Sequence, residues 1–153
     1  MESPYISGSV IDSVVGLIVV EVDKRLNAMT VSSFSELAHH PTSLWVSIAQ
    51  SSYTHSLIEK SCQFSLVVLS AKQKDIAIAC GTVSGRDQEK CARLRLYRSP
   101  QGFLFLDGAI ATTACRVRDK LKVGNHTVFL ANILEGDLDT RQSRRGHLML
   151  SDL

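Results

Sequence analysis

The chain has 153 residues, 44% of them hydrophobic and 21% charged, which suits one folded domain that hides roughly 70% of its unfolded surface and excludes a disordered or fibrous protein. Seventeen basic against fifteen acidic side chains leave a net charge of +2, too even to argue for a nucleic-acid partner; with 6% aromatics and no basic stripe interleaved with them, a β-barrel that stacks bases is also disfavoured. The apolar run Val14 to Val20 has no Lys or Arg ahead of it and is far shorter than the roughly 20 residues of a membrane span, so neither a signal peptide nor a membrane anchor is expected.

In chain order, Val14 to Val22 is rich in β-branched residues, "DKRLN" reads as a polar turn, and "AMTVSSF" resumes the strand pattern, which predicts a hairpin. "HHPTS" reads as a loop and "LWVSIAQ" as a third strand. In "SSYTHSLIEKS" Ser52 is placed to cap a helix of about two turns, and "CQFSLVVLS" follows as a fourth strand. Ile76, Ala77, Ala79 and Cys80 lie near helical spacing and the pattern stops at Gly81. "SGRDQEKCARL" offers Ser84 as a second cap with Asp87 three residues on. "LRLYR" and "FLFL" are strands about the turn "PQG". "CRVRDKL" alternates, with Cys115, Val117 and Leu121 on one face and Arg116, Arg118 and Lys120 on the other; "VGN" then turns the chain into "HTVFLANIL". Many short strands with two or three brief helices predict a mainly β fold, an antiparallel barrel or sandwich with helical insertions, and no repeat or linker divides residues 1–153.

Absent motifs narrow the chemistry. There is no GxGxxG after a strand, no GxxxxGK[ST], no GxSxG and no HExxH, so a Rossmann fingerprint, a P-loop, a nucleophile elbow and a zincin site are all excluded. The five His residues and four widely spread Cys residues show no metal-ligand spacing. Cys62, Cys80, Cys91 and Cys115 read as reduced thiols, two of them in apolar settings, which favours a cytoplasmic location. What remains is polar residues at strand ends and helix starts. "NAMTVSSF" places Asn27, Thr30, Ser32 and Ser33 at the end of a strand, and "QSSYTH" places Ser51, Ser52 and Thr54 beside the unpaired N–H groups of a helix start, an anion site in outline. Taken singly, each has a plainer use: Ser and Thr cap helices, Asn27 serves a turn, and Thr30 with Ser32 pairs across strands.

Together and in order, "NAMTVSSF", "VSIAQSSYTHSLIEKSCQFSLVVLS", "SGRDQEK", "LDGAIATTACRV" and "GNHTVFLANI" resemble the flavin reductase-like proteins with an antiparallel FMN-binding split β-barrel. The resemblance covers roughly residues 14 to 136. It departs from the family at three points: "HHPTSLW" stands where a proline pair is usual, Cys91 where Phe is usual, and Asn125 where Asp commonly precedes the His-Thr pair.

The resemblance implies FMN, or FAD, as cofactor, NADH or NADPH as transient substrate, and a homodimer with its interface beside the flavin. It sets the ring across the stretch carrying Asn27, Met29, Thr30, Val31, Ser32 and Ser33, and the phosphate at the turn of Gln50, Ser51, Ser52, Tyr53 and Thr54. Arg86 approaches a phosphate or covers its helix; His126 meets the nicotinamide or flavin edge or merely opens a strand; Arg116, Arg118 and Lys120 meet a dinucleotide pyrophosphate or form a solvated face. Hydride taken up at flavin N5 places negative charge toward N1 and the C2 carbonyl, where N–H and O–H donors stabilise it, and the hydroxyls of Thr30, Ser32 and Ser33 are the candidates. The expected activity is flavin reduction by a nicotinamide nucleotide, with free flavin or another acceptor, an electron-acceptor protein included, taking the electrons. The alternative is an electron-carrying flavoprotein or a reductase-like module of a flavodiiron-type protein.

Overall fold

The computed structural model describes residues 11–82, 84–85 and 91–153. β1 (Gly16–Val22) and β2 (Arg25–Val31) form the expected hairpin. Its turn is tighter than "DKRLN" suggested: only Asp23 and Lys24 turn, both at positive φ (51° and 67°), the two-residue geometry whose twist matches the flanking strands. β3 (Phe34–His39), β4 (Thr42–Ala49), α1 (Tyr53–Ser61) and β5 (Gln63–Val68) follow. A 3-10 turn at Ala71–Gln73 leads into α2 (Lys74–Thr82), which runs through Gly81 and stops one residue later than expected. β6 (Leu96–Arg98) and β7 (Leu104–Leu106) make a two-stranded sheet. β8 (Ala111–Val123) and β9 (His126–Leu138) form a long hairpin, and α3 (Thr140–Ser143) comes last. The helix expected from "SGRDQEK" lies mostly outside the described residues, and Cys91–Arg93 is a 3-10 turn.

The seven long strands form one antiparallel sheet in the order β2-β1-β5-β8-β9-β4-β3. Its two edge strands are neighbours in sequence, joined only by Ser32 and Ser33. Six inter-strand steps in a flat sheet would hold β2 and β3 roughly 29 Å apart, whereas the three Cα steps from Val31 to Phe34 reach about 11 Å at most. The sheet must therefore roll up until its edges nearly meet. No ladder joins β2 to β3 among the described residues, so the barrel is split at that seam.

Rolling gives β1 two apolar faces. Ile18 and Val20 point inward with Val46, Ile48, Phe64, Leu66 and Phe129, and α1 adds Leu57 and Ile58 to this core. Leu17 and Val19 point outward to a second core closed by Ala77 and Cys80 of α2. Ala79, grouped with them by spacing, is exposed.

Two features depart from the sequence expectation. β3 is a strand for which no expectation was made, and with β4 it narrows the expected "HHPTS" loop to His40 and Pro41; five of its six residues are exposed, so it carries no alternating apolar signal. The faces of β8 also change partway. Cys115 and Val117 point inward as expected, but Val117 pairs with Ala131 while Asp119 pairs with Leu130, leaving Arg118 as an extra residue. Such a bulge swaps the faces beyond it: Leu121 emerges 61% exposed, and Lys120 turns to α1, where Nζ meets Glu59 Oε2 at 2.5 Å. The expected single basic face is thus broken. Among the described residues no helix is long and apolar enough to cross a membrane.

Candidate functional site

The strand register decides which way each side chain of "NAMTVSSF" points. Asn27 pairs with Val20, Met29 with Ile18 and Val31 with Gly16, on the inner face; Ala28 and Thr30 pair with Val19 and Leu17 on the outer face. Met29 and Val31 pack against the inner core. Thr30 faces α2, and its hydroxyl donates to the Ala77 carbonyl at 2.5 Å. That hydroxyl ties the helix to the barrel, a use opposed to the expectation that it faces a cofactor. Ser32 is half-buried at the seam, between a cavity of about 350 Å³ under α2 and one of about 440 Å³ at the barrel mouth lined by Phe34, Leu44, Leu66 and Ile133. Ser33 is exposed, and its carbonyl accepts from the Ser47 amide at 2.9 Å, fastening the crossing to β4.

The turn from β4 into α1 meets β2 near its start, at Asn27. Ser52 caps the helix as expected: its backbone is extended and its Oγ accepts from the His55 amide at 3.1 Å. The first turn of α1 carries no acidic residue, so no carboxylate competes for the partial positive charge of the helix start. Ser51 is exposed. Gln50 holds the turn to the β8–β9 connection: its amide donates to the Asn125 carbonyl at 2.9 Å and its Nε2 to the His126 carbonyl at 2.8 Å. The His126 ring in turn meets Asn125 Oδ1 at 2.7 Å. Gln50, Asn125 and His126 form one unit beside the α1 start, although the sequence sets Gln50 far from the adjacent Asn125 and His126.

A second unit joins α1 to β2. Asn27 Nδ2 donates to Thr54 Oγ1 at 2.8 Å, and both residues are buried. Tyr53 is half-buried against the inner core beside them, and Gly85 lies directly over the Asn27 carboxamide. Thr54 is therefore a buried member of the helix start, unlike the exposed Ser51. Arg86 lies outside the described residues.

His55 is the polar residue that sequence reasoning passed over. It is buried, its Nε2 lies 2.8 Å from Thr127 Oγ1, and its ring tilts on Phe129 at 5.3 Å. Burial lowers its pKa, with Lys120 and Lys122 adding to the effect and Glu59, 3.8 Å away, opposing it. The available signal was a His and Glu one helical turn apart. Among the described residues no group of three or more His, Cys, Asp or Glu side chains is placed to hold a metal. Cys62 is exposed, and burial pushes the Cys115 thiol up to about 12.

A model of the flavin reductase like domain matches residues 8–151. An uncharacterized protein of Archaeoglobus fulgidus is 32% identical over 121 residues, covering 77% of this chain and 68% of that one. The reductase component of an FADH(2)-dependent resorcinol hydroxylase of Rhizobium is 29% identical over 119 residues, covering 76% and 64%. The chain thus spans about two thirds of the length of these relatives. An FMN-binding protein of Thermus thermophilus, solved with bound p-hydroxybenzaldehyde, superposes with a TM-score of 0.83 at 24% identity over 91% of this chain and 78% of that one.

Proposed function

The chain belongs to the flavin reductase-like family, and from that premise we propose that it binds FMN, or FAD, at the seam and uses NADH or NADPH to reduce it. The observation that carries this reading is the meeting of an edge strand, β2, with the start of α1 at the one place where the barrel does not close. An edge strand presents backbone groups with no ladder partner, and a helix start presents N–H donors and a positive dipole end. A planar polar ring with a phosphate needs both kinds of group.

A bound flavin supplies the redox chemistry, accepting hydride from the nicotinamide. The protein's part is to bind and orient. Backbone groups from Met29 to Ser33, with Ser32 and Ser33 hydroxyls, offer donors to the ring; the Thr30 hydroxyl, committed to Ala77, contributes only through its backbone. Ser51, Ser52 and Thr54 offer donors to the phosphate, with Arg86 as a further cation for it. Ser52 accepts from the His55 amide and keeps its own proton to donate. His126 stands near this turn, held by Gln50 and Asn125, and its proposed role is to orient the nicotinamide. With no Rossmann crevice, the nucleotide is held loosely and must bring its C4 to about 3–3.5 Å from the acceptor atom.

A homodimer in the cytoplasm is part of the proposal, since β2 and β3 are uncovered edges and Leu37 and Leu138 are 50% and 64% exposed. By analogy with the Rhizobium relative, an oxygenase component is one class of acceptor. The test is the absorption spectrum of the purified full chain, then anaerobic mixing with NADH or NADPH. Flavin bound in a defined ratio and bleached within a catalytic time is expected. Failure to bind added FMN or FAD would overturn the proposal; binding without reduction by either nucleotide would leave the electron-carrying alternative.

A further inference from the structure

Asn27 and Thr54 meet across the inner face of β2, and both are 2% exposed. The Nδ2 group of Asn27 donates to Thr54 Oγ1 at 2.8 Å. Its Oδ1 is buried with no hydrogen-bond partner among the described residues. A Cβ on Gly85 would lie 1.7 Å from that oxygen and 2.7 Å from Asn27 Cγ, so the chain there is laid directly on the carboxamide and only glycine fits. The amide is held from both sides while one of its polar atoms goes unsatisfied. For stability alone this is a poor choice, because a buried acceptor without a donor is costly and the inward residues nearby, Met29 and Val31, are apolar.

We infer that Asn27 is a positioning residue that fixes the direction in which the Thr54 hydroxyl donates. A threonine hydroxyl has one proton and two lone pairs. With one lone pair taken by the Asn27 N–H, the proton points away from Asn27 and is kept for an acceptor at the start of α1. Without Asn27, the Thr54 hydroxyl is free to rotate and its proton is no longer directed at that acceptor. The acceptor class is a phosphate monoester oxygen, and this inference rests on the proposed placement of the flavin phosphate at that helix start. Gly85 completes the device by holding the carboxamide in place.

The experiment uses the full chain freed of flavin and titrated with FMN and with riboflavin, which lacks the phosphate. The ratio of the two affinities isolates the phosphate contact from general damage to the fold. Thr54→Val is expected to lower that ratio about tenfold or more, the scale of one hydrogen bond to a charged group. Asn27→Ala is expected to lower it about three- to tenfold, and to lower it no further in a Thr54→Val background, because coupled residues are non-additive. Asn27→Ser replaces the alanine variant if the latter does not fold. An Asn27 variant that keeps the wild-type ratio, or lowers it equally with and without the Thr54 hydroxyl, would overturn the positioning role and leave the phosphate site standing. A ratio unmoved by Thr54→Val would overturn both.

Discussion

Thr30→Val removes one hydroxyl and keeps the β-branched shape that suits a strand. The lost hydrogen bond runs from Oγ1 to the Ala77 carbonyl at 2.5 Å and is part-buried, so its net worth is about 0.5–1.5 kcal/mol. In a chain of this size each kcal/mol moves the melting temperature by about 2–4 °C, so a drop of about 1–6 °C is expected. Flavin affinity should change by less than about twofold, because the side chain lies on the outer face of β2 against α2. Scanning calorimetry of the flavin-free protein and an FMN titration read the two effects separately. An unchanged melting temperature with a tenfold loss of FMN affinity would refute the argument from register and return the Thr30 hydroxyl to the ring.

The register shift at Arg118 makes Leu121 dispensable, so Leu121→Ser should change stability by less than about 0.5 kcal/mol, whereas Ile58→Ala, at 1% exposure in the inner core, should cost about 2–5 kcal/mol; urea unfolding of the two variants checks the contrast. His55 has its pKa lowered in the folded state mainly by burial, so the unfolded chain binds the proton more readily. Its contribution is fully present above the unfolded value of about 6.5 and is lost as pH falls from there through the lowered folded value; His55→Gln should flatten that part of the stability-pH curve. In the folded protein a thiol reagent near pH 8 should label exposed Cys62 quickly and leave Cys115, whose thiol is pushed up to about 12, unlabelled until the chain unfolds, as counted by mass spectrometry.

The order of elements was largely visible in the residues because most strands carry their own signal. β1 is β-branched and apolar on both faces, β9 alternates, and Ser52 announces α1 before any contact is known. β3 was not visible, since "FSELAH" exposes nearly every side chain and pairs with β4 alone. Nor was the Arg118 bulge read, although Asp119 interrupts the apolar face of "CRVRDKL" at the point where the register with the partner strand shifts. At the site, Ser52 could be read locally as a cap. The pairings Asn27 with Thr54 and Gln50 with His126 join residues 27 and 76 positions apart, and only the rolled sheet brings them together.

The same geometry explains why a polar cluster at the seam is tolerated. In a closed barrel, β2 and β3 would exchange a ladder of backbone hydrogen bonds, and the residues between them would be free to be as apolar as Val19 or Val46. Here the link is two serines long and the ladder is missing. Its edge groups must find other partners or water, because a buried backbone group left unpaired is costly. The Ser33 carbonyl finds Ser47 and Thr30 reaches α2, which brace the two edges without joining them. An opening braced in this way costs stability that a sealed barrel would keep, and it is where the proposed function puts the polar ring and its phosphate. The split in the sheet and the proposed binding site are therefore one feature: sealing the seam with a ladder would remove the groups that the ligand needs.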